Sequence, residues 1–220
     1  MNLKARATVF TIAIFSGLVY LFAWSPLLTV KSIETSGIPA TISQNLLVTK
    51  SGISVGERLA RIEPRSAENA LQELSWVEKA DVSRNWVNGK VSLKISARVP
   101  VGLYQGKGLD AAGEIFEIAG EVPKGLPVVG ASTPELGLNA IELFTRLPAD
   151  IRDSIISMGA NNDSAISSWQ KFDGRTLKVM WGSTQQVDLK VSVFRALLAM
   201  PENMAVKRID LSAPHAPIVK

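Results

Sequence analysis

Hydrophobic and polar positions follow three rhythms along the 220 residues. The first is a continuous run. Between Arg6 and Lys31 lie 24 residues without a charge, most apolar from Val9 to Trp24. At about 1.5 Å per helical residue, about 20 of them reach across a hydrocarbon core of about 30 Å, so residues 8–27 are expected to form a transmembrane helix. Tyr20 and Trp24 suit a lipid–water interface, and Pro26 discourages further helix. The second rhythm alternates in twos, and the third returns every three to four residues. Residues 28–37 read as a strand stopped at Gly37-Ile38-Pro39. Residues 41–51 read as a short helix capped by Thr41 or Ser43, with Ile42, Leu46 and Leu47 on one side. Pro64 opens a second helix to about Leu74, striped by Ala67, Ala70, Leu71 and Leu74.

Asn88-Gly89 lies between two alternating runs and reads as a type I′ hairpin turn. With Val87 opposite Lys90, Trp86 would face Val91, Arg84 would face Leu93, Val82 would face Ile95 and Ala80 would face Ala97. That register gathers the apolar residues on one face, and a slip of one residue would bury the lysines. The order to this point is β-α-α-β-β. Beyond residue 99, short strands are expected at Val101–Gln105, Ile115–Ile118 and Pro127–Val129, with turns at Gly106-Lys107-Gly108 and Ala112-Gly113. A helix follows from Thr133 to about Leu147. Strands at Ser154–Met158, Ala165–Phe172 and Arg175–Trp181 come next, the last two joined through Asp173-Gly174. An amphipathic helix at 185–200 and a last strand, Ala205–Leu211, precede a proline-punctuated tail.

Charge fixes the expected orientation. Lys4 and Arg6 precede the apolar run and no acid occurs before Glu34, so the N-terminus is expected in the cytoplasm and the body outside, in a single-pass type II arrangement. A cleaved signal peptide begins with the same charges, but this run is long for one and no small-x-small site follows it. Residues 31–220 carry 22 basic and 20 acidic side chains, with no basic stripe interleaved with aromatics, which argues against nucleic acid as a partner. With no Cys, a disulfide framework and thiol chemistry are excluded.

Candidate catalytic residues are few. His215, the one histidine, lies in the tail, and no Cys/His/Asp/Glu spacing suits a metal or a cofactor. Ser168-Trp169-Gln170-Lys171 fits the Ser-x-x-Lys pattern of penicillin-binding enzymes. That pattern needs a helical turn to bring Lys171 under Ser168, whereas on a strand positions i and i+3 face opposite ways. Four of the five tryptophans, Trp76, Trp86, Trp169 and Trp181, read as core residues at strands or strand edges.

Several patterns occur in order. They are Val30-x-x-Ile33-x-Thr35-x-Gly37, Gly52-Ile53-x-x-Gly56-Glu57-x-Leu59 and Trp76-Val77-x-x-Ala80-x-Val82-x-Arg84-x-Trp86, followed by Val91-x-Leu93-x-Ile95, Arg98-x-Pro100-Val101 and Asp110-x-x-Gly113-x-Ile115-Phe116. Those from Val30 to Val101 resemble the POTRA domain of the FtsQ/DivIB cell-division family, and the last resembles the turn that follows it. Leu177-x-Val179, the 185–200 helix and Arg208-Ile209-Asp210-Leu211-Ser212 resemble the closing elements of that family's β domain. Ser75 and Val87 stand where prolines are usual, and Ala97 stands where a glutamate is.

The resemblance implies an α+β chain: a cytoplasmic tail (1–7), the transmembrane helix (8–27), a POTRA domain (28–104), a mixed β-sheet domain with helices (105–212) and a C-terminal tail (213–220). It also implies a non-enzymatic divisome scaffold at the septum. Such a scaffold binds FtsB/DivIC-like and FtsL-like partners outside the membrane and, through them, influences FtsW and FtsI in septal peptidoglycan synthesis. The expected binding site is an edge strand comprising Val206, Lys207, Arg208, Ile209, Asp210, Leu211 and Ser212, to which a partner strand adds. Two other classes compete. One is an anchored cell-wall enzyme using Ser168 and Lys171. The other is a POTRA chaperone module, which normally precedes a barrel that the chain after residue 104 is too short to hold.

Overall fold

The computed structural model describes residues 3–24 and 28–220. The expected helix stop at Pro26 therefore lies outside the described residues, as does the side chain of Trp24. The chain begins with α1 (Leu3–Trp24), a 22-residue helix. Its described side chains, at 8–17 and 19–20, are all exposed. Among the described residues no helix is long and apolar enough to cross a membrane. The side chains of the expected span at 18 and 21–27 are not among those described.

The remaining chain is a mixed α+β fold in two compact units that divide at Arg98/Val99. In the first unit, β1 (Ser32–Ser36), α2 (Gln44–Ser51), α3 (Pro64–Gln72), β2 (Val77–Asn85) and β3 (Lys90–Ala97) follow in the expected order. A 3-10 turn, Leu59–Arg61, separates the helices. The sheet order is β1-β3-β2, with β1 parallel and β2 antiparallel to the central β3. Its core is built from Val30, Leu47, Leu59, Ala67, Leu71, Val82, Leu93 and Ile95, all buried. Leu46 does not share the helix face that buries Leu47, and is 48% exposed.

The expected hairpin register is corrected by two residues. Asn85 pairs with Lys90, Arg84 with Val91, Val82 with Leu93 and Ala80 with Ile95. A shift of two preserves the buried face but turns the tight turn into a loop, Trp86 to Gly89. The cause is local. The Asn85 side chain accepts hydrogen bonds from the Val87 and Asn88 N–H groups (3.0 and 3.3 Å), and Gly89 N–H bonds the Asn85 carbonyl (3.0 Å). Trp86 is consequently outside the strand and 37% exposed, not a core residue. The Arg84 guanidinium lies over its ring, 5.2 Å from the centroid.

The second unit holds a nine-stranded sheet. Its strands are β4 (Gly102–Tyr104), β5 (Lys107–Leu109), β6 (Ile115–Phe116), β7 (Val128–Ala131), β8 (Ile155–Ala160), β9 (Ile166–Phe172), β10 (Arg175–Gly182), β11 (Arg208–Asp210) and β12 (Ile218–Val219). Their spatial order is β12-β11-β10-β9-β8-β7-β4-β5-β6. Residues 102–104, expected to end the first domain, belong to this sheet because Leu103 and Tyr104 pair with β5 and with β7. The turn expected at 106–108 falls at Gln105-Gly106, both with positive φ (51° and 82°), and Lys107 and Gly108 instead pair in β5 with Tyr104 and Leu103. Helices α4 (Pro134–Arg146), α5 (Ala149–Arg152) and α6 (Val187–Ala199) bury Leu143, Phe144, Ile151, Val191 and Phe194 against Val129, Met158, Leu177, Val179 and Trp181. Thr133 caps α4 by accepting the Leu136 N–H. Asp173-Gly174 makes the tight hairpin that its sequence promises: both residues have positive φ (45° and 78°), and Phe172 pairs with Arg175.

Candidate partner-binding edge

The residues expected to capture a partner run through β11. On one side β11 lies parallel to β10, with Lys178, Val179 and Met180 opposite Arg208, Ile209 and Asp210. The Leu211 N–H donates to the Met180 carbonyl at 2.7 Å and the Lys178 N–H to the Lys207 carbonyl at 2.9 Å. Two features steer the chain into this position. Arg175 Nη1 reaches the carbonyls of Met204 and Val206, tying the approach to the hairpin end of β10. At the other end Gly182, with φ +75°, lets Ser212 pass: an added Cβ would sit 2.9 Å from the Ser212 Cα.

The expectation that β11 is the sheet edge is corrected. Its outer side is covered by β12, a strand formed by the proline-punctuated tail. Ile209 pairs with Val219 and Asp210 with Ile218. The Lys220 carbonyl accepts from the Lys207 and Arg208 N–H groups (2.8 and 2.9 Å), and the Lys220 N–H donates to the Arg208 carbonyl at 2.9 Å. The outermost strand at this end is therefore β12. Proline-punctuated tails carry weak strand signals, and two paired residues are too few to alternate, so β12 was illegible beforehand.

The seven expected residues divide by face. Ile209 and Leu211 are fully buried in the core and present only backbone. Val206 is half-buried, whereas Lys207, Arg208 and Ser212 are exposed. Arg208 and Asp210 approach within 3.7 Å on the outer face, and Ser212 donates from both N–H and hydroxyl to Asp210 Oδ1 at 3.1 and 2.6 Å. This end of the sheet thus offers a polar outer face backed by an apolar one.

The alternative dyad is not brought together. Ser168 and Lys171 lie on β9, whose side chains alternate between faces. Ser168 is wholly buried and accepts hydrogen bonds from Trp181 Nε1 (2.8 Å) and Gln170 Nε2 (2.9 Å), while Lys171 is exposed. A second buried polar group, unmarked in the sequence, is Lys190 on α6. It is 2% exposed and donates to the Ser183 carbonyl at 2.7 Å. Burial holds its amine below the ordinary lysine range. Among the described residues no cluster of His, Cys, Asp and Glu could hold a metal ion.

A three-stranded β-α-α-β-β unit followed by a long strand-rich unit defines a POTRA domain joined to a β domain. Residues 28–98 match the FtsQ-type POTRA domain, and residues 97–212 match the FtsQ/DivIB C-terminal domain. The chain belongs to the FtsQ/DivIB family of cell division proteins. It is similar to the cell division protein FtsQ of Mycobacterium leprae (strain Br4923), with 25% identity over 99% of this chain, and spans 64% of that relative's length.

Proposed function

We propose that the chain is a membrane-anchored, non-catalytic scaffold of the division septum. In this reading α1 crosses the cell membrane with the N-terminus in the cytoplasm, the two folded units stand outside, and residues 206–212 receive an extended segment of an FtsB/DivIC-like partner. FtsL-like protein joins the same assembly, and FtsW and FtsI are influenced through it to control septal peptidoglycan synthesis. Family membership supports the division role. The observation that carries the partner site is the shortness of β12. Two residue pairs and the Lys220 bonds hold it on β11, so a longer partner strand can take its place on the same backbone groups without disturbing the buried side chains of Ile209 and Leu211. Lys207, Arg208 and Asp210 then select a partner of matching charge.

Co-purification of the partner with two truncated chains tests this. Removing 213–220 takes away only β12 and is expected to leave partner binding intact or tighter. Removing 205–220 takes away β11 as well and is expected to abolish it while α1 stays inserted. Binding retained by the longer deletion, or lost equally in both, would sink the proposal. A fluorescent fusion of the full chain is expected to form a mid-cell ring in dividing cells, and a uniform membrane signal would count against the septal role.

A further inference from the structure

The topology of the first unit sends three exposed apolar side chains to the end where the chain leaves α1. Strands β1 and β3 are parallel, so both begin at the same end of the sheet, and the loop that precedes β3 must lie beside the residues that precede β1. Hydrogen bonding fixes this: the Lys31 N–H donates to the Gly89 carbonyl at 2.8 Å. A second loop is tied to the same place. The Val30 N–H donates to the Glu57 carbonyl and the Gly56 N–H to the Val30 carbonyl, both at 2.8 Å, and Thr29 bridges to Arg58. These two loops carry Val87 (94% exposed), Trp86 (37%) and Val55 (65%). Only residues 25–27 separate Trp24, the last residue of α1, from Leu28. At about 3.5 Å per residue, Leu28 lies within about 14 Å of the helix end.

We propose that these two loops form a lipid-contacting foot, with Val55, Trp86 and Val87 resting in the interface of the membrane that α1 crosses. The inference rests on the anchor reading given above and goes beyond it, because an anchor alone would leave the loops in water. A valine that is almost wholly exposed at a loop tip costs free energy in water and gains it on entering the interface, and tryptophan is the residue most at home there. The loops' basic neighbours, Lys31, Arg58 and Arg61, outnumber the acid Glu57 on the same segments and suit anionic headgroups. The sheet's far end supplies a reference position. Ser96 is exposed near the last pair of β2 and β3, about 20 Å from Lys90 at about 3.3 Å per residue.

The absence of Cys from the chain makes a direct test possible. Full-length Val87→Cys, Val55→Cys and Ser96→Cys chains would each carry one fluorophore and be reconstituted in vesicles of phosphatidylethanolamine and phosphatidylglycerol. A shallow nitroxide-labelled lipid is the quencher. Quenching at 87 and 55 is expected to exceed that at 96 severalfold, and to weaken in vesicles of phosphatidylcholine alone. Equal quenching at all three positions, or none at 87 and 55, would overturn the foot. Equal quenching in the two lipid mixtures would overturn the part given to the basic residues. Alkaline carbonate separates the two readings. Chains that wash off the vesicles refute the anchor and the foot together, whereas chains that stay embedded with an unquenched label at 87 refute the foot alone.

Discussion

Lys190 and Ser168 show how differently two polar residues can be accommodated inside one unit. Ser168 is paired with two side chains, and its hydroxyl satisfies the Trp181 indole N–H. Lys190 has one carbonyl and no acid in reach of its described bonds, so burial penalises its charge. The sign of the consequence follows from proton counting. Between the lowered folded pKa and the ordinary 10.5, the unfolded chain binds more protons than the folded one. Stability therefore climbs as pH rises through that window, and the penalty is complete below it. Urea unfolding of the wild type and of Lys190→Met at pH values from about 7 to 10 is expected to give a flatter pH dependence in the variant. Its midpoint at neutral pH should be equal or higher, since an apolar group replaces a buried charge. A variant with an unchanged pH slope would contradict the assignment. Neither environment was legible in the sequence: Ser168 appeared as half of a catalytic pattern and Lys190 as an ordinary polar residue of an amphipathic helix.

At the scale of elements, two Asx-Gly signals met different fates. Asp173-Gly174 makes a two-residue turn, while Asn88-Gly89 sits in a longer loop because the Asn85 side chain accepts the Val87 and Asn88 N–H groups and the Gly89 carbonyl accepts the Lys31 N–H. A local propensity was outweighed by a side-chain cap together with pairing to a strand far away in sequence. The energetic importance of the aromatic moves accordingly. Leu93→Ala empties a fully buried site on the central strand and is expected to cost roughly 2–5 kcal/mol. Trp86→Ala removes a partly exposed loop ring and is expected to cost under about 1 kcal/mol. Thermal or urea midpoints of the two variants measure this, and a Trp86 effect as large as that of Leu93 would restore the ring to the core.

For the whole molecule, each unit carries its own core, and the division at Arg98/Val99 places residues 102–104 with the second sheet. A chain of residues 28–220 keeps every apolar residue that is buried among the described side chains of both units. It is therefore expected to show the same melting midpoints as the full chain while losing its association with vesicles. Calorimetry together with vesicle flotation checks both halves of the expectation. A large loss of stability on removing α1 would mean that the helix is part of a core rather than an anchor.

Residue order alone determined a helix at the start, the β-α-α-β-β succession, the helices begun by Pro64 and Pro134, and the buried alternation of β2, β3, β9 and β10. These are local periodicities, and burying one face of a helix or strand requires them whatever the rest of the chain does. Tertiary structure decided what depends on partners distant in sequence. It set the hairpin register, which Lys31 and Asn85 arbitrate, and the assignment of Gly102–Tyr104 to the second sheet through its pairing with β7. It also covered β11 with β12, because a two-residue strand acquires a conformation only from the strand it pairs with. The gathering of Trp86, Val87 and Val55 beside the start of β1 has the same origin: the first two follow from β1 lying parallel to β3, and Val55 from the bonds of Val30 to Gly56 and Glu57, neither of which a local pattern encodes.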